Sequence, residues 1–251
     1  MTQETWNCTL GAWIAFAPLI ALILTRITAP YGRHSSGKAG PGVPPRLGWF
    51  LMELPALLTF PAWALTAPTP QSPVLWPLLG MWVLHYGNRT LVYPLRLRSG
   101  TPLPVVILLS GVFFNLINGT VLGVGLTRYG GLPDAAWLSH PAMWIGVALF
   151  LGGFLLNLHA DAVLRRMRRA NPAGYSLPRA GAYRWVSSPN YLGEMVEWCG
   201  FALATFSLAG VAFAVWTAAN LFPRALTHHR WYRAKFPDYP PDRKAVIPYI
   251  L

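Results

Sequence analysis

The residues best suited to chemistry stand in short helical stripes at the edges of long apolar runs. Asn190, Glu194 and Glu197 lie at offsets of 0, 4 and 7, so a helix puts all three on one face. They lead directly into the apolar segment from Cys199 to Phe222. A plain helix start explains part of this, with Asn190 as the cap and Glu194 answering the helix dipole. It leaves Glu197, beside Trp198 and deeper in the run, without a role. Acids at membrane depth usually face a bundle interior or a wet cavity. Asn157, Asp161, Arg165 and Arg168 form a second stripe, at offsets of 0, 4, 8 and 11. Its arginines alone would suit a solvated helix end, but Asn157 and Asp161 sit on the apolar side of the run. Arg224, His228 and Tyr232 form a third stripe, at 0, 4 and 8. If the three converge, they offer carboxylates, amides and guanidinium groups together. That set suits a large polar anion such as a nucleotide, and arginine is the better residue for bidentate phosphate contact. No Gly-x-Gly-x-x-Gly follows a strand, so helices and loops would have to hold the nucleotide. Glu53 and Tyr86 make a separate pair. Pro55 after Glu53 could merely kink a helix, Glu53 could merely pair with Arg89, and Tyr86 could be an interfacial belt residue. The same two groups could also act on a substrate oxygen.

The elements that must position these residues are membrane spans. Of 251 residues, 54% are hydrophobic and only 11% charged, where a soluble domain carries roughly 25% charged residues. The net charge of +12 is compatible with nucleic acid. Its confinement to loops fits the positive-inside rule better, and no nucleic acid is expected. Cys8 and Cys199 give neither a disulfide framework nor a metal site. The first nine residues lack the basic region of a cleaved signal, so the first apolar run is expected to be retained. Spans are predicted at Leu10 to Thr25, Leu47 to Leu65, Val74 to Tyr93, Leu103 to Leu126 and Pro141 to Leu158. Basic loops follow the first, third and fifth: Arg26, Arg33, Lys38 and Arg46, then Arg96 and Arg98, then Arg165 to Arg184. The tail after Phe222 is basic too, so an even number of crossings is required between Pro189 and Pro223. Two short helices turning near Ser207 to Gly210 satisfy it. The prediction is an all-α integral membrane protein of seven transmembrane helices. Its N-terminus is outside, its C-terminus is cytoplasmic, and residues 1–251 form one domain.

Several of these residues carry a resemblance. Asn190-Tyr191-x-Gly193-Glu194-x-x-Glu197-Trp198 resembles the C-terminal signature of the steroid 5-alpha-reductase family, integral membrane enzymes that use NADPH. Glu53-Leu54-Pro55, His85-Tyr86-x-x-Arg89-Thr90-x-Val92-Tyr93, Asn157-x-His159-x-Asp161 and the tail from His228 to Pro248 match in the same order. The similarity runs from about Tyr31 onward. It implies NADPH-dependent reduction of the delta-4 double bond of a 3-oxo-delta-4 steroid or similar enone, with Tyr86 and Glu53 over the substrate carbonyl. It implies a cofactor pocket of Asn157, Asp161, Arg168, Tyr175, Asn190, Glu194, Arg224, His228 and Tyr232. The N-terminal helices would then line the lipid-substrate cavity, and the C-terminal helices and cytosolic loops would hold the nucleotide. The chain departs from the family's pattern at Met52, Ser176 and Thr227. Further expectations are a membrane-soluble substrate, a monomer in the lipid bilayer, and a bacterial inner membrane rather than endoplasmic reticulum. The alternative is an integral membrane S-adenosylmethionine-dependent methyltransferase, which shares small size and a Pro-x-Tyr-x-Gly pattern, here Pro189 to Gly193. A lipid-binding or transporter bundle is the non-enzymatic rival, but the repeats it calls for are not apparent.

Overall fold

The structure is a computed structural model that describes residues 1–34, 40–67, 71–97, 100–171 and 174–251. Lys38 and Arg98, counted among the loop cations, lie outside the described residues. The chain is almost wholly helical. Its helices are α1 (Gln3–Arg26), α2 (Pro45–Leu65), α3 (Leu75–Gly87), α4 (Tyr93–Arg96), α5 (Val105–Arg128), α6 (Pro141–Ala170), α7 (Pro189–Thr205) and α8 (Leu208–Lys235). A π-helical turn, Asn88–Val92, joins α3 to α4 in one continuous rod. Among the described residues α1, α2, α5 and α6 are long and apolar enough to cross a membrane. This is a multi-pass membrane protein.

Two helices carry their polar stripes beyond the apolar spans, as the helical spacing predicts. α6 continues past Leu158 to Ala170, carrying Asp161, Arg165 and Arg168 on the same rod as Asn157. α8 continues through Pro223 to Lys235, so Pro223 does not end it. A proline inside a helix removes one backbone bond, and the bonds on either side of it keep the rod intact. The turn between α7 and α8 falls where it was predicted. Phe206 adopts the left-handed conformation at φ 45°, and Ser207 Oγ caps α8 by accepting from Gly210 N at 3.0 Å. Asn190, by contrast, is not a cap. Ser188 holds that position without a side-chain bond, Pro189 is the first helical residue, and Asn190 is free to point elsewhere.

α6 and α7 pack along a glycine seam. Gly146 and Gly153 on one helix face Gly193 and Gly200 on the other, each pair seven residues apart. A Cβ on Gly200 would lie 2.5 Å from both Gly146 O and Phe150 N. One on Gly193 would lie 2.6 Å from Gly153 O. Only backbone hydrogens fit, which is how helices approach closely where no hydrophobic force drives them together. The aromatic core beside this seam is centred on Trp82, fully buried, with ring contacts to Phe60, Tyr86, Trp198, Phe201 and Phe213.

The basic loops meet at one end of the bundle. β1 (Gly42–Val43) pairs antiparallel with β2 (Leu103–Pro104), tying the segment after α1 to the one before α5. Val186 bridges to Lys244, joining the segment before α7 to the C-terminal tail. Arg230 donates to Thr25 O at 3.3 Å, linking α8 to the end of α1. At the opposite end Trp6 stacks on Tyr129 at 4.8 Å. There a cavity is lined by Gln3, Gly130 and Phe206 among others. The N-terminus therefore lies at the end away from the C-terminal tail.

Candidate active site

Glu53 is buried on α2, in a helix whose other residues are almost all apolar. Its Oε1 accepts from Arg89 Nη2 at 3.1 Å and its Oε2 from Asn115 Nδ2 at 3.3 Å. Arg89 lies in the π-helical turn, with its guanidinium over Tyr93 at 4.8 Å and Trp49 at 5.0 Å. Single π turns inside helices are frequent at functional sites. Asn115 also donates to Met52 O at 2.7 Å, so α2, α5 and the α3–α4 rod are tied together by polar groups within an apolar interior. The ion pair with Arg89 that a plain structural reading anticipated is present. Both Glu53 oxygens accept, which suits orienting rather than donating.

Tyr86 is buried on α3, one turn before Arg89. Its ring contacts Trp82 at 4.5 Å, His85 at 4.9 Å and Trp198 at 5.8 Å. Tyr86 is therefore a core residue and not an interfacial belt residue.

Asn157, Asp161, Asn190 and Glu194 come together as one network across α6 and α7. Asn157 Nδ2 donates to Asn190 O at 3.0 Å and to Glu194 Oε2 at 3.2 Å. Asn190 Nδ2 donates to Asp161 Oδ1 at 3.3 Å. The glycine seam makes this possible, because the two helices touch backbone to backbone one turn away. Tyr191, next in the chain, leads into the third stripe. Its hydroxyl accepts from Arg224 Nε at 2.8 Å, and its ring stacks on His228 at 5.3 Å. The Arg224 guanidinium lies 3.7 Å over the Tyr31 ring.

The remaining predicted residues gather around Arg33, from the segment after α1. Its guanidinium stands over Tyr232 at 4.7 Å, Trp231 at 5.2 Å and Tyr175 at 6.0 Å. Arg168, on the exposed end of α6, stands over the other side of this group, 6.0 Å from the Tyr175 ring. His34 stacks on His228 at 5.2 Å. Arg33 Nη1 and His34 Nε2 are buried with no hydrogen-bond partner. Burial first, and the adjacent Arg33 second, hold the His34 imidazole below its ordinary value. Two orphaned nitrogens among guanidinium and phenol groups suit an anion with hydrogen-bond acceptors.

All nine residues expected at a nucleotide site are thus linked through shared neighbours, in two subclusters that meet at Tyr191 and His228. Sequence reasoning did not single out Tyr31, Arg33, His34 and Tyr191 as members of this cluster, nor Asn115 as a partner of Glu53. The available signal was the run Tyr31-Gly32-Arg33-His34, which was read only as loop charge. His85 and Glu197 are also paired, with His85 Nδ1 2.7 Å from Glu197 Oε1 and both residues buried.

Comparison with known proteins identifies the family. The family model described as 3-oxo-5-alpha-steroid 4-dehydrogenase matches residues 101–251. The chain is 42% identical over 234 residues to 3-oxo-5-alpha-steroid 4-dehydrogenase 1 of Bos taurus, covering 92% of this chain and 91% of that protein. It is 40% identical over 245 residues to the protein of the same name from Rattus norvegicus, covering 96% and 93%. Steroid 5-alpha-reductase DET2 of Arabidopsis thaliana is 40% identical over 245 residues, covering 93% and 92%. With that model matching more than half of the chain, and relatives about 40% identical over nearly its whole length, the chain belongs to the 3-oxo-5-alpha-steroid 4-dehydrogenase family.

Proposed function

We propose that this chain reduces the delta-4 double bond of a 3-oxo-delta-4 steroid, or of a similar membrane-soluble enone, with NADPH as the reductant. The observation that carries this reading is the Glu53–Arg89–Asn115 cluster, buried among apolar helices next to the rod that bears Tyr86. Relatives named for this reduction share about 40% of their residues with the chain over nearly its whole length. A methyltransferase would have no use for such an acid and tyrosine, or for a basic cluster with orphaned donors.

NADPH, when bound, supplies the hydride that reaches the beta carbon of the enone. The residues that would hold it are Asn157, Asp161, Asn190 and Glu194 on one side, and Arg168, Tyr175, Arg224, His228 and Tyr232 on the other, with Arg33 and His34 added. As the beta carbon gains hydride, negative charge develops on the 3-oxo oxygen. Tyr86 donates its O–H to that oxygen, and a donor aimed there stabilises the transition state more than the ground state. Glu53, fixed by Arg89 and Asn115, orients the phenol and the substrate. The alpha carbon of the resulting enolate then takes a proton from water, the enolate oxygen regains its carbonyl bond, and the saturated ketone and oxidised cofactor are the products.

We also infer seven crossings, with the three less apolar rods α3–α4, α7 and α8 spanning alongside the four apolar helices. The opposed positions of the two termini support an odd count. The test of function is oxidation of NADPH by the purified protein across a panel of enones, with dissociation constants for NADPH and NADH. Enone-dependent oxidation and a clear preference for NADPH are expected. Arg168 and Arg224 are expected to contact phosphates, and equal affinity for the two nucleotides would show that no 2'-phosphate site exists.

A further inference from the structure

Glu197 is fully buried, yet only one of its two carboxyl oxygens has a partner. Oε1 lies 2.7 Å from His85 Nδ1, and Oε2 is buried with none. Leaving a carboxyl oxygen unsatisfied costs free energy, so the arrangement is not one optimised for stability alone. What it does provide is a polar tie between two helices. α3 leans mainly on α2, where Trp82 Nε1 donates to Ala56 O at 2.8 Å. Arg89, about two turns further along the same rod, reaches Glu53 on α2 as well. Towards α7 the rod offers ring contacts, Trp82 and His85 against Trp198 at 5.5 and 4.6 Å, and the single polar link from His85 to Glu197.

The two ends of that link are each held in place. On α7, the Glu197 backbone lies against Gly153 in the glycine seam, so its height on the helix is set by α6. Glu194, three residues earlier on the same face of α7, accepts from Asn157. On α3, His85 is adjacent to Tyr86 and edge-on to its ring at 4.9 Å. The charged and polar groups facing this junction are Glu53 from α2, Arg89 from the π turn and Glu194 from α7.

We propose that the buried His85–Glu197 pair is a positioning device. It holds the Tyr86 phenol in register with the α7 face that carries Asn190 and Glu194, so that the donor to the substrate oxygen and the cofactor side of the site keep one fixed relation. This rests on the reading of Tyr86 and of the Asn190–Glu194 network given above. Hydride transfer depends on that relation far more than binding does. A misplacement on the scale of 1 Å costs about 100-fold in rate while leaving remote contacts intact. Glu197 and His85 touch neither substrate nor cofactor in this reading and act through Tyr86.

The test uses the full chain in lipid nanodiscs, as Glu197→Ala, His85→Ala, the double variant and Glu197→Gln, with a 3-oxo-delta-4 steroid and NADPH. Each alanine variant is expected to lose kcat by about 10- to 100-fold, with the NADPH dissociation constant within about twofold of the parent, since no phosphate or amide contact is touched. The double variant should fall no lower than the singles, because the pair works as a unit. Glu197→Gln keeps a hydrogen bond to His85 and should recover most of the rate. The second readout is the fluorine resonance of 3-fluorotyrosine placed at position 86, which should shift and broaden in the alanine variants and return in Glu197→Gln. That readout needs no turnover. If the parent reduces no enone, the functional reading fails while the fluorine experiment still decides the positioning role. If Glu197→Ala does not fold, His85→Asn carries the same comparison with a smaller cavity. The proposal is overturned by unchanged kcat and resonance in the alanine variants. It is equally overturned by loss of NADPH affinity in step with kcat, which would make Glu197 a cofactor ligand, or by Glu197→Gln behaving as Glu197→Ala.

Discussion

In the proposed mechanism, a phenol buried beside Trp82 and Trp198 acts together with an acid on the neighbouring helix that two donors fix in place. Tyr86→Phe is expected to lose turnover by about 100- to 1000-fold, the scale of one donor to a developing oxyanion, with NADPH binding little changed. Single-turnover oxidation of bound NADPH at saturating enone measures it, and a variant that turned over like the parent would return Tyr86 to a packing role. Glu53→Ala strands the Arg89 guanidinium, and breaking a buried pair from one side costs on the order of 3–5 kcal/mol. Glu53→Gln keeps an acceptor for Arg89 or Asn115, so it should stay closer to the parent in both thermal melting and rate. His34 sets a pH dependence. Burial and Arg33 hold its imidazole below its ordinary value, which favours the uncharged form. Stability drawn from this group is present above the unfolded value and lost as pH falls, because the unfolded chain binds the proton first. A bound phosphate favours the protonated form, so nucleotide binding takes up a proton, and affinity should rise several-fold as pH is lowered from 8 to 6. His34→Gln should flatten that slope in a titration calorimeter; an unchanged slope would place the titrating group elsewhere.

At the scale of elements, the α6–α7 seam determines whether the site exists at all. Asn157 meets Asn190 and Glu194 only because Gly146, Gly153, Gly193 and Gly200 let the backbones touch. Gly200→Ala already places a Cβ 2.5 Å from Gly146 O, a backbone atom that cannot swing aside. The expected outcome is a loss of about 1–3 kcal/mol, as for an overpacked core, together with weakened NADPH binding. Melting temperature and nucleotide affinity should fall together, and Gly152→Ala, where nothing lies within 4 Å of the added atom, is the control. Normal affinity in Gly200→Ala would show that the network tolerates a wider seam. The π turn at Asn88–Val92 has a comparable role on the other side, since it aims Arg89 at Glu53 from a rod that otherwise continues straight into α4.

For the whole molecule, the proposed topology puts the α5–α6 connection outside and the tail inside. Ala135→Cys and Asp242→Cys, both at exposed positions, can be labelled in intact cells with a membrane-impermeant maleimide after Cys8 and Cys199 are replaced by serine. Only position 135 should react from outside, and labelling at 242 would break the seven-span count. Much of this arrangement was legible from the chain alone, because it depends on local quantities. Apolar runs identify the helices, arginine placement separates the two ends, and a period of 3.6 residues puts Asn157 with Asp161 and Arg224 with His228 on common faces. The turn at Phe206 was also local, since the apolar stretch is too long for one crossing. What the chain alone left open were the relations between helices. Asn190 reads as a cap by type, yet it bonds to Asp161 because Ser188 and Pro189 already start the helix. Arg33 and His34 read as loop charge, yet they stand over Tyr232 and His228. Glu197 had no visible partner, because His85 lies 112 residues away in the chain. Periodicity states which residues share a face but not which face of another helix they meet. That choice was made by close packing at the glycine seam and by the need to pair buried polar groups, neither of which has a sequence period of its own.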